Sequence, residues 1–122
     1  MADTFDVVKA KTKVAGYTTS LNAKITGASK LAEQTISPPV LRSDLVTQQL
    51  NKRLTEVTES WEKLSSLLDQ IIKYYKDNPE EGKKTTGYHH YVNYQSKKLC
   101  EYYECRNLLT LQSRYMEIEQ DN

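Results

Sequence analysis

Between Leu50 and Tyr75 the chain sets Leu50, Leu54, Val57, Trp61, Leu64, Leu68, Ile71 and Tyr75 at alternating steps of four and three residues. An α-helix turns about 100° per residue, so this spacing holds all of them on one stripe. A strand, whose faces alternate every second residue, cannot gather them. Lys52, Arg53, Glu56, Glu59, Glu62 and Lys63 fall off the stripe, toward water. Ser37 followed by Pro38 offers a start, because a serine oxygen caps free amides and proline has no amide to leave unpaired; Ser43 is the second candidate cap. Asn78-Pro79 and Gly82 end the helix, which is predicted over about residues 38–77.

The first segment repeats the pattern more weakly, with Val7, Ala10, Val14, Tyr17, Leu21, Ala28 and Leu31 in register, Ile25 alongside and Lys24 as the mismatch. A helix over about residues 3–35 follows, with Asp3 as its cap and Asp6 in its first turn, where the helix dipole favours a carboxylate. Gly16, Gly27, Thr18, Thr19, Ser20, Thr26 and Ser29 lower its propensity, by up to about 1 kcal/mol for a glycine, so this helix depends on its neighbours.

A third helix is predicted over about residues 86–119, capped by Thr85 or Thr86. Tyr88, Tyr91, Val92, Leu99, Tyr102, Tyr103, Leu109 and Met116 share one broad side of it. Leu108, Leu111, Tyr115 and Ile118 lie off that side. A helix that is apolar on more than one face near its end exceeds what a three-helix monomer requires, which points to a partner surface.

The expected fold is all-α: an elongated antiparallel three-helix bundle, up-down-up and coiled-coil-like, formed by residues 1–122 as one domain. The alternative is an extended helical hairpin completed by a partner. The predicted core is Val14, Leu21, Leu50, Leu54, Val57, Trp61, Leu64, Leu68, Ile71, Leu99 and Leu109. With 38% apolar residues, four glycines and three prolines in 122 residues, the chain is too poor in breakers to be disordered and long enough for one core. A net charge of +1 supplies no global field toward nucleic acid or an anionic bilayer. The N-terminal residues lack the pattern of a secretory signal and no apolar run approaches the ~18 residues of a membrane span, so the expected location is cytoplasmic, with both cysteines kept as thiols.

The stretch VTQQLNKRLTEVTESWEKLSSLLDQ, residues 46–70, resembles a helix of a spectrin-type repeat, in its Arg53-Leu54 pair and in Trp61 followed three residues later by Leu64, on a heptad background. The resemblance covers about a fifth of the chain. It implies a structural or adaptor role with Trp61 and its seam neighbours as core. The departure is at Asn78-Pro79: spectrin-type repeats run directly into another repeat, whereas this helix stops and a tyrosine-rich segment follows.

That segment, GYHHYVNYQSKKLCEYYEC, holds both histidines, both cysteines and five of the nine tyrosines. On one helix Cys100 and Cys105 are separated by about 140° and ~7.5 Å of rise, too far apart for a disulfide or a shared metal, and His90 lies roughly 15 Å up the axis from Cys100. Glu-x-x-His pairs, on which a bundle di-iron site relies, do not occur. Glu101 and Glu104 oppose a thiolate. His89 and His90 are expected at the helix start, one partly buried and one wet. No catalytic, cofactor-binding or metal-binding residue is assigned, and no small-molecule substrate is inferred.

Tyr94, Lys97, Lys98 and Tyr102 have the composition of a base-stacking, phosphate-pairing face, but the intervening glutamates and the near-neutral charge disfavour nucleic acid. Lys9, Lys13 and Lys24 along the first helix give it a weak surface-seeking character toward a membrane. The sequence therefore predicts a non-catalytic scaffold, adaptor or subunit of a larger assembly. Its partner, a protein or a second copy, would be held by Tyr91, Tyr94, Tyr102, Leu108, Leu111, Tyr115 and Ile118. The competing expectation is a peripheral lipid-surface or nucleic-acid binder.

Overall fold

The chain folds into three long helices packed against one another as an all-α bundle. The structure is a computed structural model that describes residues 5–36, 44–83 and 85–121, with side chains described within 5–33, 47–83 and 85–112. The helices are α1 (Val7–Ile36), α2 (Asp44–Asp77) and α3 (Tyr88–Asp121), and a single 3-10 turn, Glu81–Lys83, lies between the last two. At 1.5 Å per residue their 30, 34 and 34 residues span roughly 45 to 51 Å. None is long and apolar enough, among the described residues, to cross a membrane.

Pairwise contacts fix the direction of each helix. Thr18 meets Tyr94 and Asn22 meets Lys98, both across 76 residues of sequence, so α1 and α3 run parallel at a constant offset. Between α2 and α3, Thr58 meets Tyr102 while Tyr75 meets Tyr91, so their order is reversed. Phe5 against Tyr74 at one end, and Gly27 beside Arg53 farther along, set α1 antiparallel to α2. The path is up-down-up.

Local chemistry sets the ends. Asp6 caps α1: its carboxylate accepts from the Lys9 amide at 3.1 Å and its carbonyl from Ala10 at 3.0 Å. Asp6 is therefore the cap and not a first-turn residue as expected; Asp3 lies outside the described residues, as do Ser37, Pro38 and Ser43 before α2. At the far end of α2 the Asn78 amide and side chain both donate to the Tyr74 carbonyl at 2.9 Å. α3 opens later than expected, at Tyr88, and its first carbonyl acceptor is Gly87, not Thr85 or Thr86. Gly87 is required by crowding, because a Cβ there would stand 2.7 Å from the Gly82 Cα as the connection folds back on itself.

The core is unequally shared. Among the described residues the large side chains sealed completely from solvent are Leu50, Val57, Leu64, Leu68 and Ile71 of α2, Leu109 of α3 and Leu21 of α1. Each is worth ~1.5–3 kcal/mol of burial, so α2 supplies most of the apolar stabilisation. α1 otherwise buries Ala10, Val14, Ala28 and Ala32, small residues that permit close approach but remove little surface from water. Leu54 and Leu99 are half-buried and pack against the core, and Trp61 and Val14 lie within it.

Candidate interaction surface

The inward seam of α3 is Tyr91, Gln95, Lys98, Tyr102, Cys105, Leu109 and Gln112, again in alternating steps of four and three, and every one of these residues is buried or half-buried. Apolar periodicity could not find it, because three of its seven members are polar side chains and one is a thiol. Gln95, Lys98 and the Cys105 thiol each have a partner inside. Gln95 donates to the Asp69 carboxylate at 2.6 Å. Lys98, only 8% exposed, donates to the Asn22 amide oxygen at 3.4 Å, ion-pairs with Glu101 at 3.1 Å and lies 5.8 Å over the Tyr94 ring. Cys105 is hydrogen-bonded to Ser29 of α1.

The tyrosines of the segment divide by this seam. Tyr91 and Tyr102, expected to face a partner, are core residues at 7% and 5% exposure. Tyr102 stacks on Trp61 with centroids 5.6 Å apart and its hydroxyl meets Thr58 at 3.0 Å; Tyr91 stacks on Tyr75 at 6.2 Å. Both rings are held by aromatic partners on α2, which a reading of α3 alone does not contain. Tyr94 is half-buried and spends its hydroxyl on Thr18 at 2.5 Å. The lysine–tyrosine face considered for nucleic acid is thereby divided, with Lys98 and Tyr102 inside the bundle and Lys97 outside.

At the bundle end near Gly87, Lys11 reaches from α1 to donate to the Thr86 carbonyl at 3.1 Å, with its ammonium 4.7 Å from the Tyr75 ring centre. His89 and His90 are both exposed, which corrects the expectation that one is partly buried. With Tyr91 facing inward, residues one and two positions earlier point about 100° and 160° away from it.

The two thiols are free and unlike: Cys100 is exposed and Cys105 buried. Burial pushes the Cys105 thiol above its usual range, and the Ser29 hydrogen bond opposes this only in part. Desolvation is thus the leading cause, not the neighbouring glutamates expected from the sequence. Burial likewise raises the Tyr91 hydroxyl, helped by Tyr75 and Tyr94. A groove of about 500 Å³ runs between α1 and α3 over Cys105, edged by Asn22, Glu33, Glu101 and Glu104. Among the described residues no three His, Cys, Asp or Glu side chains are grouped to hold a metal.

Among the described residues expected to bind a partner, Leu111 stands clear of the bundle, 61% exposed, while Leu108 one turn earlier is half-buried against the core. The side chains of Tyr115 and Ile118 lie outside the described residues. Their backbone does not: α3 continues as helix to Asp121. At the α1–α3 offset Ile36 is level with Gln112, so α3 extends about nine residues, roughly 13 Å, past the end of α1. Comparison with known proteins finds no match to this chain among protein families, curated proteins or solved structures.

Proposed function

We propose that the protein is a non-catalytic helical scaffold, adaptor or assembly subunit that binds a protein partner through the C-terminal part of α3. The observation that carries the reading is Leu111, exposed on a helix that runs on past the level where α1 ends. Leu108, Leu111, Tyr115 and Ile118 follow one another at steps of three, four and three, a second stripe set about 110° around the helix from the core positions Cys105, Leu109 and Gln112. A stripe of that period is what one helix offers another. Tyr91, Tyr94, Tyr102 and Lys98, which would have supplied other chemistry, are engaged in packing, which favours this stripe as the binding surface. The resemblance of residues 46–70 to a spectrin-type helix points the same way, and the free thiols suit a cytoplasmic, reducing compartment.

Light scattering on the purified chain, with crosslinking and co-purification from native extract, tests the proposal. A dimer or a stoichiometric protein partner crosslinked near α3 is expected. A strict monomer that crosslinks to no protein overturns it.

A further inference from the structure

We infer that α1 is a detachable cover: it opens as a unit from an α2–α3 hairpin that stays folded, and closes again without global unfolding. The inference is independent of the partner reading, which concerns the far stripe of α3.

Three independent features of α1 carry it. The side chains it buries are small apart from Leu21: Ala10, Val14, Ala28 and Ala32, where α3 buries the rings of Tyr91 and Tyr102 besides Leu109. Its helix is intrinsically weak: Gly16 has nothing within 4 Å of where a Cβ would sit, ten of its thirty residues are β-branched, and Thr12 and Thr19 turn their hydroxyls back onto the Val8 and Ala15 carbonyls. α2 and α3, by contrast, contain no glycine.

The third feature is the seam α1 shares with α3, which is tied by Thr18 to Tyr94, Asn22 to Lys98 and Ser29 to Cys105. When α1 lifts away, water takes over every one of these bonds, so separation leaves no polar group stranded. Parting α2 from α3 costs more than such polar bonds. It breaks the Trp61–Tyr102 and Tyr75–Tyr91 stacks, whose rings gain nothing from water. The closely folded Gly82–Gly87 connection also keeps that hairpin together. Local opening of this kind is expected of an intrinsically weak helix that buries mainly small side chains.

Hydrogen exchange read by mass spectrometry on the full chain, at rising denaturant, tests this. The slowest amides of α1 should exchange at least about tenfold faster than the slowest of α2 and α3, with a weaker denaturant dependence. Thr58→Ala, which removes a bond between α2 and α3 that survives opening, should speed the slowest α2 and α3 amides about two- to fivefold and leave α1 unchanged. In a Cys100→Ser chain, alkylation of Cys105 should follow the α1 rate, because α1 covers that thiol. One common exchange rate for all three helices, or equal acceleration of all three by Thr58→Ala, overturns the inference.

Discussion

Trp61, Lys98 and Cys105 occupy similar seam positions and stabilise by different physics. Trp61 buries a large ring and stacks on Tyr102, so Trp61→Ala should cost ~3–5 kcal/mol in denaturant unfolding. A loss below about 1 kcal/mol would mean that the ring is not packed. Lys98 carries a desolvation cost that Glu101 and Asn22 offset, and a buried ion pair replaced by an apolar side chain of similar volume is often neutral or better. Lys98→Met is therefore expected to leave stability within about 1 kcal/mol of the parent or to raise it; a drop beyond ~3 kcal/mol would show that the ion pair is required. For Cys105 the thiol is held above its unfolded value, so the folded state keeps the proton longer. Its contribution is whole below about pH 8.5 and is lost as pH rises through the folded value. Stability measured from pH 7 to 10 should fall at the alkaline end, and less steeply in Cys105→Ala.

The elements differ in how openly the sequence declares them. α2 was legible from Leu50 to Tyr75 because nearly every inward position carries a large apolar side chain, and its end at Asn78-Pro79 follows from proline. α3 has an equally regular seam, but Gln95, Lys98, Cys105 and Gln112 hide it from any search by hydrophobicity, and the rings of Tyr88 and Tyr103 on the outside counterfeit another face. Only the partners on α1 and α2 explain why polar side chains belong inside. In α1 the mismatch at Lys24 disappears because the inward line passes through Ile25, Ala28 and Ala32 instead. Two glycines give opposite expectations at this scale. Gly16→Ala meets open space on an exposed helical face and should raise stability by about 0.5–1 kcal/mol. Gly87→Ala would drive a methyl into the Gly82 backbone and should lower it by ~1–3 kcal/mol, both read from denaturation midpoints.

At the scale of the molecule, the parallel α1–α3 pair and the antiparallel α2 produce a bundle whose third helix outruns the first. The up-down-up path was legible from helix lengths and breakers. The partner surface was legible only in part. Tyr91 and Tyr102 turn inward onto Tyr75 and Trp61 of α2, a consequence of packing that no single-helix pattern contains, while Leu111 stayed outside as its off-seam position implied. The proposed function therefore rests on one stripe. Comparing the parent with Leu111→Glu by light scattering and quantitative co-purification tests that claim most directly. The variant should unfold at the same denaturant concentration as the parent yet lose at least about tenfold in partner or self-association, equivalent to ~1.4 kcal/mol. Full retention of binding by a folded Leu111→Glu chain would contradict the account.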